Sequence, residues 1–294
     1  MKTKHSTIKY PKPPFTNQRK IAVPGTEKEM NPKVNHGEKT YKGNDRLKDK
    51  VAIITGADSG IGRAVAIAYA REGADVVVCY GYRIEEEDAR ETAKWVKQAG
   101  RKALLIESDI RSEDNCREII DAAMKEFGKI DILINNAAYQ MAHLSLQEIT
   151  TEDLKHTFET NVFGMFYLCK AAEKHLKPGS CIINTASVNS YDPNVILLDY
   201  AATKGAIQNF TANLAQMYAE QGTGVRVNAI APGPVWTPLI PSTMPNAKHF
   251  GKKYPLKRPA QPAELAPAYV FLACSECSYV SGATIPVTGG KVAF

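Results

Sequence analysis

The chain carries Val51-Ala-Ile-Ile-Thr-Gly-Ala-Asp-Ser-Gly-Ile-Gly-Arg63, and the remaining sequence falls into place around it. A short β-branched run stops at a glycine-rich turn and restarts as Arg63-Ala-Val-Ala-Ile-Ala-Tyr-Ala70, which reads as buried strand, tight turn and helix. Without a Cβ, Gly56, Gly60 and Gly62 let the backbone bend sharply and approach a pyrophosphate, whose charge the free N–H groups and dipole of the new helix would face. A glycine-rich loop alone is a weak signal. Its place between a buried strand and a helix favours dinucleotide binding over a purely structural turn, although the spacing Gly-x-x-x-Gly-x-Gly departs by one residue from the commoner Gly-x-Gly-x-x-Gly. The candidate phosphate-side residues are Gly56, Asp58, Ser59, Gly60, Ile61 and Gly62.

Outward from that turn, strand-like apolar runs at 51–54, 75–79, 103–107, 130–134, 180–184, 225–230 and 284–287 alternate with helix-like segments at 60–73, 84–99, 112–127, 151–177, 200–221 and 262–274. The alternation predicts an α/β protein: a single-domain, doubly wound, seven-stranded parallel sheet with helices on both faces, a Rossmann fold. Its ligand is expected beyond the carboxyl ends of the strands. The catalytic domain is placed at 46–294, behind a proline-containing basic arm at 1–45.

The net charge of +6 is concentrated in that arm. Residues 1–43 hold ten Lys or Arg against three Glu, +7, and the rest, with 27 basic and 28 acidic residues, is −1. The body is thus close to neutral, which argues against a nucleic-acid surface on it. Five prolines and no sustained period mean the arm cannot bury enough surface to fold alone, so it is expected to be partly disordered or to lie over its own or a neighbouring subunit. No apolar run reaches a membrane span, and no apolar segment follows the basic N-terminus as in a secretory signal, so the expected compartment is the cytoplasm. Six cysteines in mostly apolar stretches read as reduced, buried thiols. Cys274-Ser-Glu-Cys277 has no second Cys or His pair at zinc-ligand spacing, and no metal is expected.

A second constellation is Tyr200-Ala-Ala-Thr-Lys204, with Ser187 thirteen residues before it. On a helix Tyr200 and Lys204 share a face. A tyrosine of pKa about 10 exchanges protons poorly near neutrality, and a nearby ammonium would bring it toward working pH. Ser187 would hydrogen-bond the reacting oxygen. Alone, an ordinary helix face explains Tyr200 and Lys204 better; joined to the glycine turn, chemistry does.

With these residues in view, residues 46 to 292 resemble the classical short-chain dehydrogenases/reductases. Thr55-Gly-Ala-Asp-Ser-Gly-Ile-Gly62 is similar to the family's cofactor loop, Asn135-Asn-Ala-Ala138 to its Asn-Asn-Ala-Gly segment with Ala138 in place of glycine, and Asn161, Ser187, Tyr200 and Lys204 to its catalytic set. The resemblance implies that Tyr200 protonates a carbonyl or deprotonates an alcohol while hydride moves to or from the nicotinamide. It implies that Ser187 positions the oxygen, that Lys204 holds the ribose and lowers the Tyr200 pKa, and that Asn161 holds a water. Asp109 and Ile110 would flank the adenine. Asn136, Ala137, Ala138, Thr185, Pro232, Gly233, Val235 and Thr237 would complete the cofactor site. The chain most resembles a bacterial branch described as general-stress or glucose/ribitol dehydrogenase-like.

The cofactor is expected to be NAD or NADP without preference: the strand-end acid typical of NAD sites is missing and Arg83 is near, yet Glu85, Glu86, Glu87 and Asp88 follow it. Substrate contacts are expected from Ser187, Asn189, Gln140, Tyr200 and Trp236, suiting an aldehyde, sugar or polyol. The resemblance further implies a homotetramer through the segments 151–177 and 200–221, with Phe163, Met165, Phe166, Leu168 and Ala171 at the contact. The principal rival is a protein that binds NAD(P) as a redox sensor or scaffold without turnover.

Overall fold

In the computed structural model, which describes residues 10–291, β1 (Val51–Thr55) is buried along its whole length and pairs in parallel with β2 (Asp75–Tyr80) on one side and β4 (Ile132–Asn135) on the other. Residues 1–9 of the expected arm and the last three residues lie outside the described residues. With β3 (Ala103–Glu107), β5 (Cys181–Thr185), β6 (Arg226–Pro232) and β7 (Thr284–Val287) the sheet runs β3-β2-β1-β4-β5-β6-β7, all parallel. The chain changes direction of travel between β1 and β4, which opens a crevice at their carboxyl ends.

Side chains alternate across the sheet. Ala52 and Ile54 enter the core under α1 (Gly60–Arg71), α2 (Glu86–Gln98) and α8 (Ala266–Ala273). Ile53 enters the core under α3 (Glu113–Phe127), α5 (Gly164–Ala172) and α6 (Leu198–Glu220). Strands buried on both faces explain the continuous apolar runs of the sequence.

Three segments differ from the sequence expectation. The single helix read at 151–177 is α4 (Thr151–Phe158), a π-helical turn (Glu159–Phe163), α5 and a closing 3-10 turn. The π turn falls where the Asn161 side chain is tied to the main chain of Tyr139, a tertiary contact that periodicity does not reveal. The helix read at 262–274 opens as a 3-10 turn with Gln261 and Glu264 in a capping box before α8 begins. A short α7 (Leu239–Thr243) forms among the closely spaced prolines 234 to 245, which masked any helical period.

The arm, from residue 10 onward, lies across its own domain. Phe15, Ile21 and Met30 bury themselves with Trp236 and Ile240 in a separate apolar cluster. At its end, Glu72 accepts from the Tyr41 hydroxyl (2.5 Å), the Asn44 and Arg46 amides (2.8 and 3.1 Å) and the Arg46 guanidinium (2.6 Å). Among the described residues no helix is long and apolar enough to cross a membrane.

Candidate active site

β1 ends at Thr55, and the turn that follows has Gly56 at φ +61° and Gly60 at φ +51°, backbone that disfavours any side chain. Gly62 sits behind the turn: a Cβ there would lie 2.0 Å from the Gly56 carbonyl oxygen. The turn is stapled to β4 by Asn136, whose Nδ2 donates to the carbonyls of Thr55 (2.9 Å) and Gly56 (3.2 Å). The Thr55 hydroxyl in return accepts from the amides of Asn136 and Ala137, both at 3.0 Å. Ser59 occupies the N-cap position of α1 but makes no side-chain cap bond. Of the first amides of α1, that of Gly60 donates to the Glu27 carboxylate (2.8 Å) and that of Arg63 to the Ser59 carbonyl (3.0 Å), and the turn lines the crevice as a cradle shaped for phosphate.

This turn is one wall of a cavity of about 1470 Å³. Gly56, Asp58, Ser59, Gly60 and Ile61 line it together with Asp109, Ile110, Asn136 to Ala138, Pro232, Gly233, Val235 and Thr237, the last packed against Gly60. Thr185, Ser187, Tyr200 and Lys204 line the same cavity, as do the substrate candidates Gln140 and Asn189. The structure thus brings two constellations, 130 residues apart in sequence, into one space.

Tyr200 and Lys204 stand one turn apart on α6, both buried, with the ammonium 5.3 Å from the phenol ring centre. Burial pushes the Tyr200 hydroxyl up to about 12, against a smaller downward pull from its hydrogen bond with Ser187. Burial also pulls the Lys204 ammonium down to about 7. Lys204 Nζ donates to the Thr185 carbonyl (2.8 Å), and Thr185 Oγ1 pairs with the Tyr269 hydroxyl (2.8 Å). The Ser187 hydroxyl accepts from the amide (3.1 Å) and side-chain Nδ2 (3.2 Å) of Asn189, which fixes its orientation.

Four expected site residues do not line the cavity: Gly62, behind the turn, and Trp236, Arg83 and Asn161. Trp236 is fully buried beneath the arm, its indole N–H on the Pro32 carbonyl (2.9 Å) and its ring 4.4 Å from that of Phe15. Arg83 is exposed and pairs with Glu86 (2.9 Å) and Glu107 (3.4 Å), pointing away. Asn161 is buried, its side chain accepting from the Tyr139 amide (2.7 Å) and donating to the Tyr139 carbonyl (2.8 Å) and Thr203 hydroxyl (3.0 Å). These bonds order the wall beside Tyr200. Asp109 lines the cavity, but its carboxylate grips Arg111 at 2.6 Å, which holds it below the ordinary range.

Sequence reasoning missed Glu85, which lines the cavity in place of Arg83 and caps the turn after β2 by accepting from the amides of Gly81 (3.1 Å) and Tyr82 (3.0 Å). Burial, then the nearby Asp58 charge, pushes its carboxyl up to about 8. It also missed His156, stacked on Tyr139 at 3.9 Å, and the arm segment Val23-Pro24-Gly25 at the cavity edge. The acidic run at 85–88 was visible; its capping role depends on a loop path that was not. Among the described residues no cluster of His, Cys, Asp or Glu is placed to hold a metal.

The family described as enoyl-(acyl carrier protein) reductase matches residues 56–291. General stress protein 39 of Bacillus subtilis is 51% identical over 96% of this chain and 98% of its own length. NADPH-dependent aldehyde reductase 1 of Arabidopsis thaliana is 46% identical (94% and 97%), and glucose and ribitol dehydrogenase of Daucus carota 43% (95% and 97%). Among solved structures, a short-chain dehydrogenase from Burkholderia cenocepacia in complex with NADP superposes with a TM-score of 0.78 at 30% identity. It covers 83% of this chain and 98% of its own. A 3-ketoacyl-(acyl-carrier-protein) reductase from Brucella melitensis complexed with NADH does so with a TM-score of 0.76 at 32% identity and the same coverage. The matched turn, the sheet order and these relatives agree: the chain belongs to the short-chain dehydrogenase/reductase family of oxidoreductases, which use NAD or NADP.

Proposed function

We propose that this protein reduces a small carbonyl compound, an aldehyde or the open form of a sugar, to the alcohol, with Tyr200 as the proton donor. The observation that carries the reading is the convergence of Ser187, Tyr200 and Lys204, the last two one turn apart on α6, on the cavity that the glycine turn also lines. The nicotinamide of NAD(P)H supplies the hydride when bound. The cradle at Gly56 to Ile61 suits its pyrophosphate, and Asp109, Ile110 and Ala137 its adenosine side.

Burial keeps the Tyr200 hydroxyl in its phenol form at neutral pH, the form that donates to a carbonyl oxygen. Ser187 shares that oxygen through a second hydrogen bond, and the fixed Asn189 contacts keep its hydroxyl aimed. Gln140, held to Thr243 at 2.9 Å, offers a polar wall for further hydroxyls of a sugar or polyol. The relatives named for an aldehyde and for glucose and ribitol support this substrate class.

The test is NADH and NADPH oxidation against a panel of aldehydes, ketones and sugars, with Tyr200→Phe alongside. Turnover that falls roughly a hundred- to ten-thousand-fold in the variant, with cofactor affinity unchanged, is expected. Tight cofactor binding without turnover on any compound would support a sensor instead. We infer further that the assembly is a homotetramer, since Phe163, beside Tyr167, and Phe166, beside Phe210, are about half exposed, whereas Met165 and Leu168 are ordinary core. A sedimentation mass equal to one chain at micromolar concentration would overturn this.

A further inference from the structure

We propose that the N-terminal arm is a structural part of the dinucleotide site: Glu27 positions the phosphate turn by accepting the amide of Gly60. The first amides of a helix have no intrahelical partner and usually take one from an N-cap side chain. Ser59, at the N-cap position, does not fill that role: its side chain makes no cap bond. A residue 33 positions upstream fills it: Glu27 Oε1 accepts from Gly60 N at 2.8 Å. A carboxylate at a helix N-terminus interacts with the dipole as well as the N–H group, and charge-assisted bonds of this kind are the stronger ones.

A buried carboxylate is costly unless it is paired, and this one is. The same Oε1 meets His36 Nε2 at 2.7 Å, and His36 Nδ1 meets Glu38 at 2.9 Å, with Glu27 and His36 both buried. The Glu27 amide donates to Asp88 at 2.9 Å, and Asp88 also binds Arg63 of α1 (3.1 Å). Arg63 in turn donates to the Asp58 carbonyl at 2.7 Å, inside the turn. Arm, turn, α1 and the start of α2 form one connected polar network.

On its other side the arm holds the segment that closes the cavity. The Phe15 amide donates to the Lys248 carbonyl (2.8 Å), the Ile21 amide to the Pro241 carbonyl (3.4 Å) and Trp236 to Pro32. Between these anchors Val23, Pro24 and Gly25 line the same cavity as Ser59 and Gly60. The arm therefore braces both the phosphate end and the covering segment, and Glu27 is its contact with the former.

The inference rests on the turn being the pyrophosphate site. Full-length protein carrying Glu27→Ala, Glu27→Gln or Phe15→Ala is titrated with NADH and with NADPH by fluorescence, and hydrogen exchange is followed in the peptide spanning 56–63. Glu27→Ala is expected to weaken both cofactors about tenfold or more and to speed exchange in that peptide. Glu27→Gln, which keeps an acceptor oxygen, is expected to restore most of the affinity. Phe15→Ala, at the other anchor, is expected to lower thermal stability with a smaller change in affinity. Affinity and exchange in Glu27→Ala within twofold of the parent, or tighter cofactor binding, would overturn the proposal, as would a loss that Glu27→Gln does not recover at all. A parent protein that binds neither cofactor would overturn the functional reading instead.

Discussion

At the scale of single residues, the two groups expected to adjust each other are set mainly by burial. Lys204 is ordinarily protonated up to about pH 10.4, whereas in the folded chain it loses its proton at about 7. Between those values the unfolded chain holds one proton more than the native one, so this group makes stability rise with pH across that window and not below it. Thermal or urea unfolding of the parent and of Lys204→Met from pH 6 to 10 checks the sign. The parent is expected to gain stability relative to the variant as the pH rises above 7, and parallel curves would contradict the burial seen here. The identities of Ser187, Tyr200 and Lys204 were readable from type and spacing. Their proton affinities were not, because desolvation belongs to the packed environment.

At the scale of elements, the strand, turn and helix at 51–71 were legible because local chemistry dictates them. Glycines, the β-branched run and the helical restart all agree. Gly62→Ala is expected to abolish cofactor binding and destabilise the fold, since its Cβ has no room beside Gly56. Asn136 is the support of that turn from across the sheet. Asn136→Ala leaves two carbonyls without their donor and is expected to cost about 1–3 kcal/mol in unfolding free energy, together with weaker cofactor binding. An unchanged denaturation midpoint would show that solvent replaces the bonds without loss. What the sequence could not show at this scale is the π turn around Asn161 and the short α7, both decided by contacts far away in the chain. Trp236 was misplaced for the same reason: an aromatic after the Pro-Gly turn reads as a substrate contact until the arm is seen to cover it.

At the scale of the whole molecule, the arm's composition implied an extended segment needing a surface to lie on, and from residue 10 onward the structure lays it on its own domain. The junction is Glu72. Burial would raise its carboxyl, but Arg46, Tyr41 and the two amides outweigh that and hold it at about 2. Its contribution is thus present above the ordinary carboxylate range and lost as the pH falls from about 4.3 toward 2. Glu72→Ala is expected to cost about 2 kcal/mol at pH 7, a figure kept modest because Arg46 is one-third exposed, and to show less further loss than the parent on acidification. Equal acid sensitivity of the two proteins would refute that role.

The central claim, hydride transfer to a carbonyl with Tyr200 supplying the proton, is tested most directly by following the label. Reduced cofactor carrying deuterium at both C4 positions is mixed with a reducible aldehyde and the protein, and the product alcohol is read by NMR. Deuterium at the former carbonyl carbon with the parent protein, and about a hundredfold less or lower still with Tyr200→Phe, is the predicted result. Label that stays on the cofactor with every carbonyl tried, or transfer that proceeds equally well in Tyr200→Phe, would contradict it.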